Sequence, residues 1–142
     1  MSGWWNPGDA APIVAVAIGV NDDGSTHTGI IYRDDESGDS LKLLHLLFHH
    51  LLRADPFPQD QIVREIRYHL LIPNRPPAML SAVALKCRHI ARAKPVIPFG
   101  FASTRITFDS RGRAIAPPDN RGLNCSTFTL RVFESSGIRL VG

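Results

Sequence analysis

The sequence predicts an α+β domain in which an antiparallel sheet packs against helices. Two β-branched apolar runs, residues 13–20 and 26–33, flank Asn21-Asp22-Asp23-Gly24-Ser25, a cluster of turn-forming residues. A helical pattern led by Pro77 covers residues 77–93, and a second one, free of Gly and Pro, opens at Cys125. Strands come first, then helices, then short strands, then a helix, which is an α+β layout.

The chain has 142 residues, enough for one domain with a real core, and is read as a single domain over 1–142 with a loose Gly- and Pro-containing lead-in at 1–12. The 13–20 run reads as a buried strand and 26–33 as its hairpin partner. A polar turn with Gly38 leads to residues 41–48, where Leu43, Leu44, Leu47 and Phe48 also fit a helix face. A strand is preferred there, because a third strand takes the sheet beyond a marginal hairpin. Pro56 and Pro58 punctuate. Residues 59–72 read as a helix with Ile62, Ile66 and Leu70 on one stripe. The helix at 77–93 would bury Leu80, Val83, Ala84, Cys87 and Ile90, which makes Cys87 a core residue. His69 and His89 read as exposed helix positions. Residues 105–109 and 113–116 flank Ser110-Arg111-Gly112 as a second hairpin, and residues 117–121 form a loop.

The last helix carries the chemistry. Asn124 is a favoured N-cap residue and Gly137 a stop, so Cys125 lies in the first turn, with Phe128, Leu130, Val132 and Phe133 along its inner side. Unpaired N–H groups and the positive end of the helix dipole favour a thiolate there. Such a nucleophile needs a His to take its proton and a third group to orient that His. His27 lies in an apolar strand, and His45 has Leu on both sides. If 26–33 and 41–48 are neighbours, the two can meet on one face.

Three stretches, His27-Thr28-Gly29-Ile30-Ile31-Tyr32, Leu44-His45-Leu46 and Asn124-Cys125-Ser126-Thr127-Phe128, resemble the circularly permuted branch of the papain-like NlpC-type superfamily, which includes lecithin:retinol acyltransferase-like proteins and PPPDE peptidases. The matching pieces cover some twenty residues, while their order and spacing span most of the chain. The resemblance implies a permuted papain-like fold, with the sheet packed against a C-terminal nucleophile helix plus two further helices. It implies Cys125 as nucleophile, His27 as base and His45 as the orienting group, with the roles of the two His open to exchange. Asn124 is expected to help position the oxyanion or substrate.

The expected function is a cysteine-dependent hydrolase that cleaves an amide bond in a peptide, such as a cell-wall peptide or an isopeptide, through a thioacyl-enzyme. The alternatives are a thiol acyltransferase or lipid esterase on the same fold, or a binding module. No cofactor is expected. A metal site built from His45, His49, His50 and Cys125 is disfavoured, because no carboxylate or Cys stands at a zinc-like spacing nearby. The net charge of +3 is spread along the chain, which argues against nucleic acid and leaves a peptide or protein substrate as the expected partner. No run of about 20 apolar residues predicts membrane insertion. No basic leader is read, and two unlinked Cys suit a reducing, cytoplasmic setting.

Overall fold

A computed structural model describes residues 3–6, 9–21, 24–35, 38, 40–47, 51–57, 66–95, 97, 106–115 and 123–140. In chain order these form β1 (Gly3–Trp4), β2 (Val14–Asn21), β3 (Thr26–Arg33), β4 (Leu41–Leu46), β5 (Leu52–Pro56), β6 (Ile66–Ile72), α1 (Pro77–Ala93), β7 (Thr107–Phe108), β8 (Ala114–Ile115) and α2 (Cys125–Ser135). The architecture is α+β. Six strands make one antiparallel sheet in the order β1-β6-β2-β3-β4-β5, and β7 pairs with β8 apart from it.

The β2–β3 hairpin turns at Gly24, whose φ of +86° suits a residue without a Cβ. Its ladder runs from Val14↔Tyr32 to Val20↔Thr26. Alternation along the strands separates two apolar layers. Val14, Val16, Ile30, Tyr32, Leu44 and Leu46 meet α1 and α2 on one side, through Leu80, Val83, Cys87 and Ile90 of α1 and Phe128, Val132 and Phe133 of α2. Ala15, Ala17, Ile31, Leu43 and Leu70 form a smaller cluster on the other. The inner side of α2 buries Thr129 where Leu130 was expected, and the Thr129 hydroxyl donates to the Cys125 carbonyl at 2.9 Å.

Three expectations are corrected. Residues 66–72 of the anticipated 59–72 helix are the strand β6, while 58–65 lie outside the described residues. The helical stripe of Ile66 and Leu70 competes with an alternation of Tyr68, Leu70 and Ile72. The strand wins because β6 satisfies its backbone against β2 over six residue pairs, from Val16↔Leu71 to Asn21↔Ile66, and against β1 on its other edge. His69 is therefore an exposed strand residue, with its ring 6.1 Å from that of Trp4. Residues 52–56, read only as Pro punctuation, form β5, an edge strand where charged residues and Pro are tolerated. The lead-in is also tied down: β1 pairs with β6, and the Trp5 N–H donates to the Leu70 carbonyl at 2.9 Å.

Candidate active site

Cys125 is the first residue of α2. Asn124 is extended, and its Oδ1 accepts the Thr127 N–H at 2.8 Å while the Thr127 hydroxyl accepts the Asn124 N–H at 2.8 Å. This reciprocal cap fixes the first turn. The Asn124 side-chain oxygen is thereby engaged in starting the helix, so any part it takes in holding substrate falls to its amide nitrogen.

The start of α2 lies against β3. The β3–β4 ladder stops at Ile30↔Leu44, and beyond that end the Thr28 N–H donates to the Cys125 sulfur. The Thr28 and Ser126 hydroxyls are 3.3 Å apart at the same junction. His27, one residue before Thr28, shares a hydrogen bond with the Cys125 thiol. That bond is the largest influence on the thiol. Together with the Thr28 N–H and the Ser126 hydroxyl it outweighs half-burial and brings the Cys125 pKa down to about 7. Cys87 differs in every respect: it is fully buried in the helix-side core, and burial pushes its thiol strongly upward.

His27 Nε2 lies 2.7 Å from His45 Nδ1, and His45 Nε2 lies 2.7 Å from Asp55 Oδ2 on β5. Arg53 Nη2 donates to the other carboxylate oxygen of Asp55 at 2.7 Å. His45 is buried at 6% exposure, and its directly opposed residue on β5 is Arg53. Gly29 makes this approach of β3 to β4 possible. A Cβ there would stand 2.8 Å from Leu43 Cδ1, 3.0 Å from the Leu44 carbonyl oxygen and 3.1 Å from His45 Cβ. The space beside Gly29 is thus filled by Leu43 and His45.

The protons along this chain have one consistent arrangement. Partial burial raises the Asp55 pKa, but hydrogen bonds from His45 and Arg53 outweigh it and leave the carboxyl below its ordinary value, ionised at neutral pH. An ionised carboxylate only accepts, so His45 Nε2 carries hydrogen. Burial lowers the His45 pKa further than Asp55 raises it, so the ring is neutral and its Nδ1 accepts. His27 Nε2 must then donate. Its Nδ1 is the ring nitrogen left to share a proton with the Cys125 thiol.

The structure therefore brings together Cys125, His27 and His45, the three residues expected from sequence, and adds Asp55 as a fourth member. Tyr68 is a further addition: the charges of Asp55 and Cys125 both reach its half-buried phenol and reinforce the upward push of burial on its pKa. His27 and Tyr68 are both cross-strand partners of Gly19, which puts no side chain between them. Both residues were hidden because β5 and β6 were not recognised as strands. The signal for Asp55 is the acidic residue at the second position after the one facing His45. His49 and His50 lie outside the described residues, and among the described residues no three His, Cys, Asp or Glu side chains converge as a metal site. Among the described residues no helix is long and apolar enough to cross a membrane. No known family, curated protein or solved structure matches this chain.

Proposed function

We propose that the chain is a cysteine-dependent amidase of the permuted papain-like type, cleaving an amide bond in a peptide or protein through a thioacyl-enzyme. The observation that carries this reading is the directional hydrogen-bond chain from Cys125 through His27 and His45 to Asp55, which ends in a thiol of pKa about 7. The resemblance in the order of His27, His45 and Asn124-Cys125 supports it independently.

In this reading His27 Nδ1 takes the thiol proton, and Cys125 Sγ attacks the amide carbonyl carbon. Negative charge grows on the carbonyl oxygen near the first-turn N–H groups of α2. The C–N bond then breaks, and the leaving amine takes the proton back from His27. Water attacks the thioester, giving its proton to His27. The C–S bond breaks, carboxylic acid is released and the thiol is restored. His45, held by Asp55, steadies the His27 ring and its transient positive charge.

The test is hydrolysis of an activated peptide amide, with the acyl-enzyme trapped and weighed by mass spectrometry. The parent protein should gain the acyl mass on Cys125 and release free acid. Cys125→Ala should abolish both, His27→Ala should fall about as far because the members of one catalytic unit are not additive, and Cys87→Ser should keep parental activity. Transfer of the acyl group to an added amine with no hydrolysis would mark an acyltransferase instead. Equal losses from the Cys125 and Cys87 changes would defeat both readings.

A further inference from the structure

Away from the Cys125 thiol, a group of cationic residues borders a cavity of about 520 Å³ between β3–β5 and the end of α1. Lys42, Arg88, Arg92 and Lys94 line it with Asp34, while Arg53 and Asp55 border it from β5 with their side chains paired to each other on the His45 side of the sheet. Four cations against one carboxylate leave an excess of three positive charges, and the neighbouring Arg53–Asp55 pair adds none. This equals the formal net charge of the whole chain, so the rest of the molecule is balanced.

The cations differ in how they are committed. Lys42 Nζ is 3.5 Å from Asp34, Arg53 is bonded to Asp55, and Arg88 Nη1 donates to the Arg33 carbonyl at 3.0 Å. The exposed side chains of Arg92 and Lys94 pair with no described residue. Tyr32, also on the cavity wall, has its hydroxyl buried with no hydrogen-bond partner among the described residues. A buried polar group left in that condition is costly and marks a place where a ligand oxygen would be welcome. The C-terminal end of α1 opposes an anion with about half a negative charge, well short of the cationic excess.

We infer that this cavity binds a small phosphoanion, a molecule carrying two or more phosphate charges. Its volume falls within the roughly 300–1,000 Å³ of small-ligand pockets. Arg88 and Arg92 carry planar guanidinium groups of the kind that match phosphate oxygens. Leu44, Leu52 and Ala54 provide an apolar side for a compact organic body. The site is separate from the thiol and borders the far end of the hydrogen-bond chain at Arg53 and Asp55.

Isothermal titration with inorganic pyrophosphate at low ionic strength tests it, with citrate as the carboxylate comparator. Turnover is not needed, so the outcome does not depend on whether Cys125 is a nucleophile. One site per chain is expected, tighter for pyrophosphate than for citrate. Arg92→Gln with Lys94→Gln should weaken binding by about tenfold or more. Arg111→Gln with Arg139→Gln, which removes the same charge outside the cavity, should leave it unchanged. Tyr32→Phe should weaken binding several-fold without lowering the thermal midpoint. Absence of heat at millimolar pyrophosphate, or equal weakening by the two double variants, would overturn the assignment.

Discussion

Asp55 decides which nitrogen of each histidine carries hydrogen. Asp55→Asn removes the charge that orients His45. The expected result is a fall in kcat/KM of about 10²–10⁴-fold, by analogy with loss of the orienting carboxylate in a Ser-His-Asp triad, together with an alkylation midpoint above the parental value of about 7. An unchanged alkylation profile in Asp55→Asn would mean that His27 is oriented by other groups. The pH dependence of stability follows from the same thiol. Its folded pKa is depressed from 9.0 to about 7, so the stabilising contribution is full above the ordinary value and is lost as pH falls through about 7. Urea midpoints of the parent and of Cys125→Ala should therefore diverge in favour of the parent between about pH 7 and pH 9. Cys125, His27 and His45 were legible because a thiol after an N-cap residue and two His in apolar runs are unusual placements. Asp55 was not, since an acidic residue between Arg53 and Pro56 looks like any surface turn.

At the scale of elements, legibility followed the strength of the periodic signal. The strands β2 and β3, the helix α1 and the start of α2 stand where pattern and caps put them, because local preference and packing agree there. Residues 66–72 carried two competing periods, and the choice was made by a partner strand fifty residues earlier, which no local window contains. The close approach of β3 to β4 gives a sharp prediction. Gly29→Ala forces Leu43, the Leu44 carbonyl and His45 apart and should cost about 1–3 kcal/mol of stability. It should also lower activity more than the stability loss explains, seen as reduced kcat/KM at a temperature where circular dichroism shows a fully folded protein. Asn124→Ala removes the cap and should cost about 1 kcal/mol. It should also slow thiol alkylation, since the turn that holds Cys125 loosens.

In the whole molecule, the β7–β8 hairpin fastens the two helices together. Lys86 Nζ donates to the carbonyls of Phe108 and Asp109 at 3.1 and 3.0 Å, and His89 Nδ1 donates to the Ser110 carbonyl at 2.6 Å. On the other flank the Phe108 N–H donates to the Ser135 hydroxyl at 3.0 Å, and the Phe108 ring meets Phe128 edge-on. Gly112, at φ +78°, lies so close to α1 that a Cβ would stand 2.3 Å from the backbone at His89 and Ile90. Gly112→Ala should therefore lower stability by about 2 kcal/mol or more and shift the thermal midpoint. It should also raise the Cys125 alkylation midpoint, because α2 loses its brace. A variant that unfolds no more easily than the parent would show that the hairpin can lift away without cost. None of this bracing was readable from the sequence beyond the hairpin itself, since it depends on the surface of α1 and not on the pattern of the turn.

The position of β5 at the rim of the sheet has a consequence of another kind. Its outer backbone groups face no strand among the described residues, and such a rim invites another chain to pair with it. Arg53, Asp55 and Pro56 are the residue types that discourage such pairing. Two of them are also the far end of the hydrogen-bond chain. A change that neutralises Asp55 therefore removes part of the protection against sticking at the same stroke. Asp55→Asn should scatter more light than the parent at high protein concentration, and a concentration series is needed before its lost activity is credited to chemistry.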